Sequence, residues 1–193
     1  MYGEKGWHCA TIISLGIGQG EILVTPVQLA NMYAAIANKG WYFTPHIARE
    51  VIDVDTKKNI KPSAEKHYTK ISPEWFIPVN EGLRQVVDYG TASASKIENI
   101  SLCGKTGTVQ NPHGDNHSIF AGFAPKDDSK IAIAVVVENA GYGGAFAGPI
   151  ASLMVEKYLN DTIAEKRLVL EKKMIETNLI HKYFSAKKAE PTD

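Results

Sequence analysis

Apolar residues recur at helical spacing in three parts of the chain, and each part is bounded by residues that begin or end helices. The first begins at Thr25 with a capping box that contains a proline, and it ends at Gly40. The second begins at Ser72 and ends near Gly90, and the third runs from Gly148 to about residue 159. Three helices are predicted. Their predicted core residues are Leu29, Met32, Tyr33, Ile36 and Ala37; Phe76, Val79, Leu83, Val86 and Val87; and Ile150, Leu153, Met154 and Tyr158.

Three short apolar runs lie between the second and third predicted helices. They cover residues 100–109, 118–124 and 130–137, and turn-forming residues separate the last two runs. The connections are too short for a crossover helix, so the runs are predicted to pair as an antiparallel sheet. Helices packed on such a sheet give an α+β architecture.

The other stretches of the chain have weaker patterns. Residues 41–52 are predicted to be extended, and residues 53–70 to form a polar hairpin or excursion. Residues 161–193 carry mixed charges and a ragged apolar pattern, which predicts a peripheral helix followed by a frayed tail.

Composition narrows the function classes. With 44% hydrophobic and 22% charged residues among 193, the chain suits one domain or part of one. Lys plus Arg equals Asp plus Glu at 21 each, so no electrostatic feature favours nucleic acid or an anionic membrane surface. No run approaches the roughly 20 apolar residues that cross a bilayer, and the first residues do not resemble a secretion signal, so any membrane anchor is expected outside this chain. Cys103 is expected to be a small buried residue rather than half of a disulfide with Cys9.

The candidate chemistry lies in the tetrapeptide Lys105, Thr106, Gly107 and Thr108 on the first predicted strand. An ammonium group and a hydroxyl group there can bind an anion, and glycine lets a ligand approach the backbone. If the strand borders a cleft, its free N–H and C=O groups can pair with an extended peptide. A carboxylate-bearing substrate suits this arrangement.

Four further segments extend the pattern around the tetrapeptide. Leu-Gly-Ile-Gly-Gln-Gly-Glu at 15–21 and Thr-Pro-Val-Gln-Leu-Ala at 25–30 precede it, and Phe-Ala-Gly-Phe-Ala-Pro at 120–125 and Val-Glu-Asn at 137–139 follow it. In order and spacing, the chain resembles the C-terminal part of the transpeptidase domain of class B high-molecular-weight penicillin-binding proteins. The resemblance covers roughly residues 5–160 and is closest to the cell-elongation type, penicillin-binding protein 2.

The resemblance implies a β-lactamase/transpeptidase-like fold and a role for each residue of the tetrapeptide. Lys105 would supply charge and organise a proton relay, and Thr106 would hydrogen-bond the substrate carboxylate. Gly107 would permit close approach, and the N–H of Thr108 would form one side of the oxyanion hole. The implied partners are peptidoglycan stem peptides ending in D-Ala-D-Ala, β-lactam antibiotics and cell-elongation proteins, at the periplasmic face of the bacterial inner membrane. No cofactor or metal is expected.

The nucleophile that this family requires has no convincing counterpart in the chain. Ser-x-x-Lys occurs at Ser63, Ser93 and Ser185, each in an unsuitable setting, and Ser-x-Asn does not occur. We therefore expect residues 1–160 to be the C-terminal portion of a transpeptidase domain whose serine lies elsewhere, with 161–193 as a peripheral tail. The isolated chain is expected to be inactive.

Two alternatives stay open at this point. A D,D-carboxypeptidase or β-lactamase would use the same motif but pass the acyl group to water, although the segments at 15–21 and 25–30 favour a transpeptidase. A non-catalytic binding or scaffold protein of the same fold would lack the serine altogether.

Loops beside the motif have more than one interpretation. The loop at 113–117 is expected to be a polar hairpin rather than a metal site, and His117 or Ser118 is a candidate for the rim of the cleft. The glycine-rich turn at 141–144 is expected to be flexible. The glycines at 16–20 lack the spacing of a dinucleotide-binding loop, so a tight loop beneath the cleft is predicted.

Overall fold

The computed structural model describes residues 8–20, 22–60 and 65–180. The helices are α1 (Cys9–Gly16), α2 (Pro26–Ala37), α3 (Phe76–Asp88), α4 (Ala147–Asn160) and α5 (Leu168–Glu176). The strands are β1 (Trp41–Phe43), β2 (Val51–Ile52), β3 (Asn59–Ile60), β4 (Lys66–Tyr68), β5 (Cys103–Val109), β6 (His117–Ala124) and β7 (Ile131–Val137). Short 3₁₀ turns at Pro73–Trp75, Ser93–Ser95 and Glu165–Arg167 complete the described elements.

The central sheet has the strand order β5-β6-β7, and both of its pairings are antiparallel. Two small antiparallel pairs, β1 with β4 and β2 with β3, account for the region predicted to be extended and hairpin-like. The predicted α+β class with an antiparallel sheet is confirmed. In the described residues, no helix combines the length and the apolar character needed to cross a membrane.

Helix α2 begins and ends on the signals that the sequence contains. The Thr25 hydroxyl accepts a hydrogen bond from the Gln28 backbone N–H, and the Gln28 side-chain oxygen accepts one from the Thr25 N–H. This is the predicted capping box. Beyond the helix, Gly40 has φ +110°, and a Cβ there would lie 2.9 Å from the Thr69 hydroxyl, so both backbone conformation and space require glycine.

The central sheet separates two apolar cores. Phe120 projects into a core with α4 and the end of α3, and Phe123 projects into a core with α2 and Leu83 of α3; both are completely buried. Successive side chains of a strand point to opposite faces, which is why residues three apart on β6 serve different cores. Cys103 lies in the second core as a buried free cysteine, as predicted, and burial raises the pKa of its thiol to about 12.

Four of the residues predicted to lie in the core are exposed. Met154 and Tyr158 on α4 are 54% and 61% exposed, and Met32 on α2 and Val79 on α3 are about half exposed. Helix α4 packs instead through Ala147, Ala151 and Val155, which are spaced four apart and fully buried. Small side chains let the helix approach the sheet closely, so the large apolar residues are rotated outward.

A helix is present in the C-terminal segment, as α5, and residues beyond 180 lie outside the described part of the chain. A buried ion pair joins this segment to α4. Arg167 and Glu156 lie 3.1 Å apart, nitrogen to oxygen, with side chains 9% and 3% exposed. Arg167 also donates to the Ser152 hydroxyl at 2.6 Å. Burial lowers the pKa of the Arg167 guanidinium, and the Glu156 carboxylate opposes that shift.

We expect Arg167→Met to destabilise the protein by about 3 kcal/mol, because it leaves the Glu156 carboxylate buried and uncompensated. Urea unfolding followed by circular dichroism measures the loss. The double variant Glu156→Gln with Arg167→Met should recover part of it. Lys172→Met, which breaks the exposed pair with Glu176, serves as the control and should leave the midpoint unchanged. If Arg167→Met changed the unfolding midpoint as little as Lys172→Met does, a structural role for the buried pair would be contradicted.

Candidate active site

Strand β5 lies at the edge of the central sheet, with one side paired to β6 and no described strand on the other. The carbonyl of Thr108 accepts a hydrogen bond from the Gln19 side chain at 2.9 Å, so this carbonyl points away from β6. In an antiparallel strand, the N–H and C=O of one residue point to the same side. The N–H of Thr108 therefore also points to the free edge, and no described residue accepts a hydrogen bond from it.

Side chains of the tetrapeptide alternate across the sheet. Thr106 lies opposite Phe120, on the α4 face, and Lys105 lies opposite Ala121, on the α2 face. The Lys105 side chain is exposed, and its ammonium group donates to the Thr106 carbonyl at 2.8 Å. By the same alternation, that carbonyl faces the free edge. The charge of Lys105 is thus held at the edge where an extended ligand would pair.

The Thr106 hydroxyl has a partner from outside the motif. Thr91, in the turn after α3, places its own hydroxyl oxygen 2.9 Å from that of Thr106. Thr91 is exposed. The helix-ending signal at Tyr89 and Gly90 predicted the turn, but no periodicity or motif in the sequence places Thr91 beside Thr106.

The turn at 141–144 packs on the motif strand. The N–H of Gly143 donates to the Thr108 hydroxyl at 3.3 Å, and Gly143 is buried. A Cβ on Gly143 would lie 2.3 Å from the Gly107 carbonyl oxygen, and one on Gly144 would lie 2.8 Å from the Thr91 carbonyl oxygen. The two glycines allow backbone to lie directly on backbone, so this part of the turn is packed against the motif strand; its flexibility stays a prediction.

The sequence predicts His117 or Ser118 at the rim of the cleft, and the structure gives the two residues different surroundings. Ser118 is completely buried, and its hydroxyl donates to the Tyr142 carbonyl and accepts from the Ala147 N–H, both at 3.0 Å. Its placement corrects the expectation, because strand alternation puts Ser118 on the same inward face as Phe120. His117 is half-buried, and its Nδ1 accepts from the Asn139 N–H at 3.1 Å, which leaves Nε2 as the protonated nitrogen of the neutral ring.

Two lysines of the Ser-x-x-Lys matches lie in the part of the chain that the structure describes, and each contacts a residue outside its own match. Lys96, which follows Ser93 by three residues, lies 3.5 Å from the Asp88 carboxylate. Lys66 lies over the Trp41 ring at 4.1 Å; its serine, Ser63, lies outside the described residues, as does the match at Ser185. Among the described residues, no group of three or more His, Cys, Asp or Glu side chains is arranged to hold a metal ion.

Gln19 belongs to the glycine-rich loop that follows α1. Gly18 and Gly20 there have φ of +78° and +128°, values that favour glycine, and they allow the loop to turn towards the end of β5. The predicted tight loop is present. Its contact with the motif strand is the Gln19 hydrogen bond to Thr108, a residue 89 positions away, which local sequence patterns do not reveal.

Ionic contacts brace α3, which packs behind β5. Glu81 is bound by Arg84 at 2.6 Å and by Lys126, from the turn after β6, at 2.9 Å. Hydrogen bonds from Arg84 and then from Lys126 lower the pKa of the Glu81 carboxyl to about 2, and the pKa of Lys126 is raised by the same contact. Arg84 also pairs with Asp88.

Helices on both faces of an antiparallel sheet, with Lys-Thr-Gly-Thr on its free edge, define an α+β protein with a β-lactamase-like fold. The sequence profile described as "Penicillin binding protein transpeptidase domain" matches residues 2–156. The chain belongs to this family, as the sequence predicted.

The chain is similar in sequence to curated bacterial proteins and in structure to solved penicillin-binding proteins. The chain is 36% identical to stage V sporulation protein D of Bacillus subtilis over 82% of its own length, and 32% identical to peptidoglycan D,D-transpeptidase MrdA of Acinetobacter baumannii over 75%. It spans only 26% and 24% of those two proteins. Among solved structures, penicillin-binding protein 2 of Pseudomonas aeruginosa in complex with WCK 5153 superposes with a TM-score of 0.65 at 34% identity, covering 84% of this chain and 34% of that one. PBPA of Mycobacterium tuberculosis superposes with a TM-score of 0.67 at 27% identity. The superposition covers 76% of this chain and 38% of PBPA.

We expect Gly143→Ala to destabilise the protein by about 1–3 kcal/mol, because the new methyl group must push the turn away from Gly107. Thermal unfolding measures the change. Gly82→Ala, at an exposed position of α3 where a Cβ meets no atom within 4 Å, is the matched control and should stabilise by about 0.5–1 kcal/mol. Equal effects of the two substitutions would show that the turn is not tightly seated on the strand.

The lowered pKa of Glu81 gives a pH dependence of defined sign. A carboxyl whose pKa falls from 4.5 to about 2 on folding contributes stability above pH 4.5, and this contribution is lost as the pH falls towards 2. Melting temperature measured against pH should show Glu81→Gln below the unsubstituted protein at neutral pH and equal to it near pH 2. Lys126→Met should show a smaller difference of the same sign. A difference in melting temperature that stays constant with pH would contradict the assignment of this stability to the ionised Glu81 carboxylate.

Proposed function

We propose that the complete gene product carrying this chain is a serine-type peptidoglycan D,D-transpeptidase. In the proposed reaction, a serine attacks the peptide bond of D-Ala-D-Ala, the terminal D-alanine leaves, and the acyl group passes from the serine to an amine of a second stem peptide. The observation that carries the proposal is the Thr108 N–H on the free edge of β5, with Lys105 and Thr106 beside it.

The edge strand supports this chemistry in two ways. Its outward N–H and C=O groups can pair with an extended stem peptide as an added strand, which orients the scissile bond. The Thr108 N–H is a fixed donor that can stabilise the oxyanion formed when the serine attacks the carbonyl carbon, with no reorganisation during the reaction. Gly107, between the two threonines, keeps that approach open.

The terminal carboxylate of the substrate is assigned to Thr106 and Lys105. A hydroxyl and an ammonium at one strand edge supply a directional donor and a positive charge, which is the complement of a carboxylate. Lys105 is also proposed to organise the proton relay around the serine. The serine itself is proposed to come from a part of the gene product outside this chain, so the chain alone should be inactive.

Binding of β-lactams follows from the same site. PBPA of Mycobacterium tuberculosis has been solved as an imipenem acyl-enzyme complex and is 28% identical to this chain, with a TM-score of 0.65. A β-lactam carries a carboxylate near its reactive carbonyl, as the stem peptide does. We propose that β-lactams acylate the complete protein.

We further propose that the transpeptidase acts in cell elongation. This proposal is supported by the likeness to MrdA, at 32% identity, and to penicillin-binding protein 2, at 34%, although stage V sporulation protein D is more similar in sequence, at 36% identity. We propose elongation proteins as partners and the periplasmic face of the inner membrane as the location, with the anchor in a segment outside this chain.

Fluorescent penicillin tests the central proposal. Membranes from the native organism are labelled, and the same gel is probed with an antibody against this chain. We expect coincident bands at a mass well above 21.1 kDa, abolished by excess unlabelled penicillin. An antibody band that never labels would contradict the transpeptidase and favour a binding or scaffold role.

Substitution of Lys105 in the complete protein tests whether labelling by fluorescent penicillin depends on strand β5. Lys105→Met should slow acylation by about 100-fold or more, because it removes charge that acts on the developing transition state. Lys172→Met removes an exposed cation on α5 and should label at the normal rate. Equal rates for both variants would contradict the role of Lys105.

A further inference from the structure

Thr91 is held beside the motif strand by its own turn. The N–H groups of Gly90 and Ala92 both donate to the Val86 carbonyl at 3.1 Å, and Ala92 is completely buried. Gly144 lies against the Thr91 carbonyl from the other side, closely enough that a Cβ there would be 2.8 Å away. The backbone of Thr91 is therefore fixed on both sides, while its hydroxyl is directed to the exposed surface beside Thr106.

The contact between the two hydroxyls has a directional consequence. A threonine hydroxyl has one proton to donate and two lone pairs that accept. If Thr106 donates its proton to a carboxylate, the hydrogen bond with Thr91 persists only when Thr91 is the donor. Lys105 donates to the Thr106 carbonyl and not to the hydroxyl, so among the described residues Thr91 is the hydrogen-bond partner of the Thr106 hydroxyl, and either hydroxyl can be the donor in the absence of a ligand.

We propose that Thr91 is a positioning residue of the transpeptidase site, an inference that rests on the function proposed above. By donating to Thr106, Thr91 fixes the rotamer of that hydroxyl and directs its proton to the carboxylate of the stem peptide or β-lactam. The relay runs from Thr91 through Thr106 to the carboxylate, and no bond other than hydrogen bonds changes along it.

The test uses the complete gene product with Thr91→Val, which keeps the shape and removes the hydroxyl, and Thr91→Ser, which restores it. The readout is the second-order rate constant for acylation by benzylpenicillin, corrected for the fraction of active sites. Loss of one neutral hydrogen bond is expected to lower the rate constant of Thr91→Val about 3- to 10-fold. Thr91→Ser should stay within about twofold of the unsubstituted protein, since its hydroxyl can occupy the same position.

A carboxylate-free substrate separates positioning from a purely structural role. With benzylpenicillin methyl ester, the rates of Thr91→Val and of the unsubstituted protein should differ less than with benzylpenicillin, because a neutral ester oxygen accepts a weaker hydrogen bond from Thr106 than a carboxylate does. In a Thr106→Val background, Thr91→Val should have no further effect on the reaction with benzylpenicillin, because coupled residues are not additive.

The outcomes are distinguishable. Acylation of the unsubstituted protein together with an unchanged rate for Thr91→Val would overturn the role of Thr91 and leave the transpeptidase intact. A reduction of equal size on the acid and the ester, or one that only lowers the active fraction, would assign Thr91 a structural role and overturn the relay. Failure of the unsubstituted protein to react with either compound would overturn both proposals.

Discussion

The pairing of β5 with β6 is the constraint on which the site depends. It directs one side of the motif backbone into the sheet and leaves the outward groups of Thr106 and Thr108 at the edge. Glycines fix this register. A Cβ on Gly122 would lie 2.3 Å from the Cys103 carbonyl oxygen, and a Cβ on Gly104 would lie 2.3 Å from the Phe120 ring. A slip of one residue would bring side chains into these spaces and exchange the inward and outward faces of the motif.

An edge strand with one bare side needs support from its two faces. On the α4 side, Phe120 is covered by the small residues of that helix, and the buried Ser118 hydroxyl ties β6 to the turn that seats Gly143 on Gly107. On the other side, the buried Cys103 side chain of β5 itself packs with residues of α2 and with Leu83 of α3. The functional groups at the edge are therefore positioned by two cores rather than by a second strand, which leaves that edge available to a peptide.

Features governed by local chemistry could be predicted from the sequence. The capping box at Thr25, the turn at Gly40 that follows α2, and the hairpin of β6 and β7 depend on neighbouring residues, and they form as predicted. The buried face of α4 could not be predicted, because its apolar residues surround the helix and only the distance to the sheet selects Ala151 over Met154. Ser118 could have been placed, since strand alternation puts it on the face of Phe120. The contacts of Thr91 and Gln19 with the motif join residues that are distant in sequence, so they follow from the tertiary fold alone.

The hydrogen bonds around the motif differ in kind, and the difference bears on how the proposed site would work. The Lys105 ammonium, the Thr106 hydroxyl and the Thr108 carbonyl each have a protein partner already. A bound peptide would exchange these contacts for its own, so the net gain per group is small and geometry decides which ligand binds. The Thr108 N–H has no described partner, and it is the group assigned to the oxyanion. A donor that is fixed by the sheet and not engaged elsewhere favours the charge that develops only in the transition state. In the proposed site, the edge strand would thus combine exchangeable contacts for recognition with one uncommitted donor for catalysis.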